Sequence, residues 1–225
     1  MQATQMKLQY LGDSKDSFKW DYHDSLVSEL KYPLLNIALM MTPDDDGNDG
    51  RTHPSLFPAR KEVIDFCQYL KKNRSINSIK ILPQKTGALY KVELHKNGKH
   101  ITNGNRTEYF SDINQANRQL LFLDPDNGFE PENSINEKHV GYGDIMHILE
   151  QVSSETVVSI FQHHRRISFP KDFARIRERI KSGYSTAICW HSLMFVAIAK
   201  SKETIERVIT ANKKYAAVNP VKVIA

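Results

Sequence analysis

The amino-acid sequence predicts a single α/β domain, residues 1–225, whose central sheet is mostly parallel and ends in a C-terminal antiparallel hairpin. Apolar runs of strand length alternate along the chain with stretches whose apolar residues recur at helical spacing, the order typical of a parallel sheet with crossover helices. Near the C-terminus, two apolar runs are separated by His191 and Ser192 alone. A connection this short joins antiparallel strands, which predicts the closing hairpin.

Five stretches are predicted to be strands of one sheet. Its centre is Leu120–Leu123, because four consecutive large apolar residues indicate a strand that is buried on both faces. The predicted strands are residues 35–41, 120–123, 157–161, 187–190 and 194–199, the first three mutually parallel.

Helices and one insertion are predicted between these strands. The helical stretches are residues 18–26, 55–72, 112–118, 142–151, 173–182 and 202–215. Between residues 75 and 110, two alternating stretches (79–82 and 89–95) precede a turn signal at 96–99. This pattern predicts a small β-ribbon inserted into the domain.

Composition limits the classes of function. The 40% hydrophobic and 25% charged residues are ordinary values for a globular protein, and the net charge of +5 is compatible with a nucleic-acid partner without requiring one. Cys67 and Cys189 have no metal-ligand spacing, so we interpret them as buried free thiols of a reducing cytosol. With no run of membrane-spanning length and no signal-peptide core at the N-terminus, we expect a cytoplasmic protein that does not enter a membrane.

Polar side chains follow the central predicted strand directly. Pro125 and the Asn127-Gly128 pair end the strand, which leaves Asp124, Asp126 and Asn127 at its carboxyl end. Ligands of open α/β sheets bind at that edge, so these three are candidate catalytic residues and Pro125 a candidate substrate-binding residue. An ordinary capped turn is the alternative.

A second polar group follows the strand predicted at 157–161. His163 and Arg165 are candidate catalytic residues, because histidine titrates near neutrality and arginine binds oxyanions in a fork. Alternation along an extended chain would put both on one face. Gln162 and Arg166 are candidate substrate-binding residues, and a basic surface loop is the alternative. If the two strands are neighbours, Asp124, Asp126 and His163 should converge within about 10 Å, roughly two strand spacings.

An acidic loop follows the first predicted strand. A glycine-rich phosphate loop is expected there in a nucleotide-binding crossover, but four aspartates occur between Thr42 and Arg51. Such a loop repels phosphate unless a cation intervenes, so it is either a divalent-cation site or a solvated surface loop.

A family resemblance is carried by Leu-Asp-Pro-Asp-Asn-Gly at 123–128. It resembles the Asp-Pro-Pro-Tyr or Asp-Pro-Phe-Gly strand end of adenine-N6 methyltransferases and of three-Cys-motif partner proteins, and the order of elements resembles their Rossmann-like sheet. The resemblance implies that Asp124 accepts a hydrogen bond from an exocyclic amine, and that S-adenosylmethionine lies near Thr42, Asp44, Asp45 and Gly47. Asp126 and Asn127 have no counterpart in that motif.

A second resemblance covers most of the chain. Tyr-Leu-Gly-Asp at 10–13, Phe18-Lys19, the Asp-Pro-Asp-Asn-Gly turn and Gln-His-His-Arg-Arg at 162–166 together resemble a group of uncharacterised bacterial and phage proteins. That group carries no activity that transfers to this chain. Asp13 and Lys19, near the start of the first helical stretch, are further candidate substrate-binding residues.

Three functions are compatible with these residues. The leading hypothesis is a Rossmann-like, methyltransferase-like protein that acts on or binds nucleic acid, with S-adenosylmethionine as cofactor. The second is a metal-dependent nuclease or phosphoesterase, in which Asp44, Asp124 and Asp126 hold Mg²⁺, His163 is the general base and Arg165 stabilises the phosphorane. The third is a binding protein with a degenerate enzyme fold.

Overall fold

The computed structural model describes residues 8–42, 50, 52–113, 116–132 and 135–225. The strands are β1 Leu34–Ala38, β2 Lys91–Leu94, β3 Leu120–Leu123, β4 Gly128–Phe129, β5 His139–Val140, β6 Val157–His163, β7 Tyr184–Trp190, β8 Leu193–Ala199 and β9 Lys222–Ile224. The α-helices are α1 Ser14–Glu29, α2 Lys61–Asn73, α3 Leu82–Thr86, α4 Arg106–Ser111, α5 Tyr142–Gln151, α6 Phe169–Arg179 and α7 Lys202–Ala216.

Seven of the described strands form one sheet in the order β2-β1-β3-β6-β8-β7-β9. β2, β1, β3 and β6 are mutually parallel, whereas β8 is antiparallel to β6 and β7, and β9 is antiparallel to β7. β2, β1, β3, β6 and β7 therefore run in one direction, and β8 and β9 run in the other. The chain is α/β with a mostly parallel central sheet and an antiparallel hairpin, an arrangement consistent with a Rossmann-like fold.

Helices cover both faces of the sheet because the central strands are apolar on both sides. Leu120 and Phe122 of β3 belong to the hydrophobic core that includes residues of α1, α2 and α7. Leu121 and Leu123 belong to the other core, with residues of α4, α5 and α6. This confirms that β3 is an interior strand of the sheet and is buried on both faces.

The connections reverse direction between β1 and β3. The chain leaves β1 through α2 and reaches β2 on one side of β1, whereas it leaves β3 through α5 and reaches β6 on the opposite side. The carboxyl ends of β1 and β3 thus diverge into opposite connections, which opens a crevice at this topological switch point.

The predicted β-ribbon at 75–110 is wrong. Residues 76–81 form a 3₁₀-helix that leads into α3, and β2 pairs in parallel with β1 as an edge strand. The turn signal is real, since Lys96, Asn97 and Gly98 all have positive φ. It follows β2, however, and sends the chain into an irregular segment instead of back along the strand. The alternation that indicated a hairpin is that of an edge strand with one face exposed.

The helix predicted at 112–118 is also wrong in its described part, because α4 ends at Ser111 and residues 116–118 are not helical. Tyr109 and Phe110 are the buried anchors of α4, and residues 112–118 contain no comparable apolar pair. α5 has the predicted bounds. In the part of the chain that the structure describes, no helix has the length and apolar character needed to cross a membrane.

Candidate functional site

A cleft of about 480 Å³ lies at the carboxyl edge of the sheet. Its walls come from residues 39–42 after β1, Asp124 to Asn127 after β3, the end of β6, and the first turns of α1. The cleft therefore occupies the switch point between β1 and β3, where open α/β sheets bind ligands. Its volume lies within the roughly 300–1,000 Å³ typical of small-molecule sites.

Asp124 continues the sheet and then turns its carboxylate to the cleft. Its backbone N–H donates to Ala38 O over 2.9 Å, so the β1–β3 ladder extends to this residue. Its Oδ2 accepts a hydrogen bond from Lys19 Nζ over 2.8 Å. Burial raises the pKa of Asp124 to about 6, although the Lys19 ammonium acts in the opposite direction. Asp124 is therefore ionised at neutral pH but takes up a proton in mild acid.

Lys19 is the counter-ion of this carboxylate. Its Nζ lies 2.8 Å from Asp124 Oδ2 and 3.0 Å from Asp16 Oδ1, and 5.5 Å and 5.7 Å from the ring centroids of Trp20 and Phe161. The two carboxylates raise the pKa of Lys19 against the effect of burial. An ammonium held by two anions and two aromatic rings stays charged and fixed in place.

Asp13 starts α1 at the edge of the cleft. Its carboxylate accepts from Lys15 N over 2.9 Å and from Asp16 N over 3.0 Å, which is the preferred arrangement of a helix N-cap. Burial, followed by the neighbouring Asp16 charge, raises the pKa of Asp13 to about 6. The structure thus gives Asp13 a structural contact as well as a place in the cleft wall.

Asp126 connects the ends of β1 and β3. Its Oδ2 accepts from Thr42 Oγ1 over 3.1 Å, and Lys138 Nζ lies 3.9 Å from the same oxygen. Pro125 and Asn127 also line the cleft. The whole Asp124–Asn127 turn is therefore part of one wall.

His163, the last residue of β6, lines the same cleft. Burial, together with the charges of Lys15 and Lys19, lowers its pKa to about 4. The imidazole is neutral at physiological pH and can accept a proton. Asp124, Asp126 and His163 all line this cleft, and their convergence within about 10 Å stays a prediction.

Gln162, Arg165 and Arg166 lie outside the cleft wall, contrary to their prediction as site residues. Gln162 is fully buried beneath β4, Arg165 turns toward Phe129 O, and Arg166 is exposed with φ +63°. The expectation that His163 and Arg165 share a face is wrong because β6 ends at His163, and the strand alternation ends with it. Asp44, Asp45 and Gly47 lie outside the described residues.

Asp16, Trp20 and Phe161 also line the cleft, although the sequence did not single them out for it. Trp20 is 1% exposed, and among the described residues its indole Nε1 has no hydrogen-bond partner. A signal existed, since Trp20 follows Phe18 and precedes Tyr22 on α1. Large aromatic residues two apart point to different sides of a helix, which indicates that α1 is buried on more than one side.

The charge of the cleft is slightly acidic. The described lining contains four carboxylates (Asp13, Asp16, Asp124, Asp126) and three lysines (Lys15, Lys19, Lys138), so the carboxylates exceed the lysines by one. Within the described ranges, no cluster of three or more His, Cys, Asp or Glu has the geometry to hold a metal ion. Comparison of the chain with protein-family models, with curated proteins and with solved structures finds no match.

Proposed function

We propose that the chain is a methyltransferase-like protein that binds S-adenosylmethionine in the switch-point cleft and acts on, or binds, nucleic acid through the Asp124–Asn127 turn. The observation that carries the proposal is the location of the turn. The strand that ends in Asp-Pro-Asp-Asn lies directly beside β1, and its carboxylates form the wall of a cleft at the ligand-binding edge.

The topology supports the resemblance on which the proposal depends. Five strands run in one direction, and the C-terminal hairpin inserts its second strand, β8, between β6 and β7. The predicted order of elements resembled that of methyltransferases, with an antiparallel hairpin that closes a mainly parallel sheet. The position of the hairpin in the sheet is consistent with that resemblance.

The residues of the cleft fit S-adenosylmethionine. This cofactor carries a sulfonium, an ammonium and one carboxylate, so its net charge is positive and complements a wall with an excess of carboxylate. Trp20 Nε1 is a buried donor without a partner in the described part of the chain, and buried donors of this kind are usually satisfied by protein groups, a ligand or water. When bound, the cofactor would supply an electrophilic methyl group.

The chain's own groups supply recognition and proton transfer. Lys19 holds Oδ2 of Asp124, which leaves the other carboxylate oxygen to accept from an exocyclic amine of a base. His163 is neutral and lines the same cleft, so it can take a proton from that amine. Lys15 and Lys138 line the cleft, and the exposed Arg166 comes two residues after His164, which also lines it. The positive charges of these three side chains attract a phosphate backbone.

The contacts of Lys19 favour this function over the metal-dependent nuclease. A divalent cation at Asp124 would have to displace an ammonium that already contacts both Asp124 and Asp16. The two functions therefore differ in the ligand that should stabilise the protein.

Thermal melts and a methyl-transfer assay test the proposal. S-adenosylmethionine at 100 times its Kd should stabilise the folded protein by about 2.7 kcal/mol. Asp124→Asn should retain this stabilisation and lose transfer of labelled methyl groups to DNA or RNA, while the surface variant Asp65→Asn retains both. Absence of any cofactor-induced shift in the wild-type melt would overturn the proposal, and stabilisation by Mg²⁺ that Asp124→Asn abolishes would favour the nuclease.

A further inference from the structure

The Asp124–Asn127 turn leads directly into β4, which lies between β5 and the end of β6. On the β5 side, Asn127 N donates to Lys138 O and Glu130 N donates to Val140 O, both over 2.9 Å. On the β6 side, His163 N donates to Asn127 O over 3.3 Å. This backbone bond is long, and β4 is also held by two side chains, one from the end of β6 and one from just after it.

Gln162 and Arg165 bind the backbone of β4. Gln162 Oε1 accepts from Phe129 N over 2.8 Å and from Arg165 Nη2 over 2.8 Å. Arg165 Nη2 also donates to Phe129 O, and its Nη1 lies 3.4 Å from Glu130 O. The two side chains together satisfy both the N–H and the C=O of Phe129, as a neighbouring strand would.

Gly128 permits this close approach. Its φ is +109°, and a Cβ at this position would lie 2.3 Å from Gln162 Oε1 and 2.9 Å from Gln162 Cα. A larger residue would therefore push β4 away from the end of β6.

We infer that Gln162 and Arg165 are positioning residues that act through the backbone of β4 to hold the Asp124–Asn127 turn against His163. Both residues lie outside the cleft wall, yet they fix the relative place of two groups within it. The inference concerns the same cleft as the proposed function, but it depends on contacts within the chain and not on the identity of a ligand.

The protonation of His163 reports on this arrangement. Three charged groups act on the imidazole: Lys15 and Lys19 from α1, and Asp126 from the turn. Burial has the largest effect and lowers the pKa of His163 to about 4. If the turn moves away, water reaches the ring and its pKa should rise toward the ordinary value of about 6.5.

The experiment is an NMR titration of the histidine ring protons, in which His163→Gln assigns the His163 signal among the nine histidines. Gln162→Met removes the amide at nearly constant side-chain length and without a change of charge. Arg165→Lys keeps the positive charge but lacks the planar fork. Each variant should raise the pKa of His163 by roughly one unit or more. Arg118→Lys, at the opposite edge of the sheet, should leave it unchanged.

An unchanged His163 titration in the folded variants would overturn the inference. Should Gln162→Met not fold, Arg165→Lys decides alone, because the Arg165 side chain is 26% exposed and tolerates substitution better. No ligand is added, so failure of cofactor binding would overturn the proposed function and leave this inference standing.

Discussion

Two clusters of buried carboxylates lie along α1 and its N-cap, and they have different partners. In the N-terminal cluster, Asp13 and Asp16 line the cleft, and Asp16 shares Lys19 with Asp124. In the C-terminal cluster, Asp21 and Asp24 face Arg60, which donates to Asp21 Oδ1 from Nε over 2.7 Å and to Asp24 Oδ2 from Nη2 over 2.8 Å.

The C-terminal cluster is closed. Asp24 Oδ1 also accepts from Tyr90 over 2.6 Å and from Thr86 over 2.8 Å, and Asp21 Oδ2 accepts from Tyr215 over 2.6 Å. These donors come from α3, from the residue before β2 and from α7, so the cluster joins α1 to its neighbours. Each carboxylate oxygen has a protein partner.

The N-terminal cluster is open. Burial raises the pKa of both Asp13 and Asp124 to about 6, and the cluster borders a cleft that also contains Trp20, whose Nε1 has no partner within the described ranges. Burial of charge alone therefore does not identify a functional site. What distinguishes the N-terminal cluster is that it borders a cleft and that burial raises the pKa of two of its carboxyl groups.

Asparagine substitutions in the two clusters should have the most different effects on stability. In Asp24→Asn the amide cannot accept from Arg60, Tyr90 and Thr86 together, so the free energy of unfolding should fall by about 2–3 kcal/mol, a range that allows for the half-exposed Arg60. Among the described residues, Lys19 is the donor to Asp124, and asparagine keeps one acceptor for it. Asp124→Asn should therefore change stability by less than about 1 kcal/mol at pH 7. Urea unfolding measures both, and equal losses would refute the distinction.

The pH dependence of stability sharpens the comparison. Folding raises the pKa of Asp124 from about 3.9 to about 6, so the folded state binds a proton that the unfolded state lacks between these values. This contribution stabilises the protein below pH 4 and is lost as the pH rises through 6. Relative to Asp124→Asn, the wild type should lose about 2 kcal/mol between pH 4.5 and 7.5 in urea unfolding.

His163 provides a control of opposite sign for that measurement. Its pKa is lowered to about 4, so its contribution to stability is present above pH 6.5 and is lost as the pH falls. Relative to His163→Gln, the wild type should therefore gain stability with rising pH. The stability of the wild type relative to Asp124→Asn and relative to His163→Gln should change in opposite directions with pH. A change in the same direction would contradict the assigned pKa directions.

The sequence predicted the elements in which local pattern and burial agree. The apolar run Leu120–Leu123 and the helix Tyr142–Gln151 have the predicted bounds, and the closing hairpin is longer than predicted by a few residues. The prediction of an inserted β-ribbon was wrong because an edge strand and a hairpin strand have the same alternation of apolar and polar residues. Pairing with β1, which is distant in sequence, decided between them.

The candidate site was predictable where it depends on strand ends. Asp124, Asp126 and His163 line one cleft because parallel neighbours end at one edge of the sheet. Lys19 was named without its partner, since its ion pair with Asp124 spans 105 residues. Arg165 was assigned a catalytic role because the sequence does not show that β6 ends before it.

The central claim is that the ligand occupies the cleft, and the two tryptophans of the chain test it directly. Trp20 lines the cleft, and its indole N–H has no partner among the residues that the structure describes, whereas Trp190 packs on Phe57 at 5.0 Å between ring centroids and lies outside the cleft wall. In ¹⁵N–¹H spectra, saturating S-adenosylmethionine should shift the indole signal of Trp20 and leave that of Trp190 in place. A Trp20 signal that stays unchanged, or that moves no more than that of Trp190, would contradict the account.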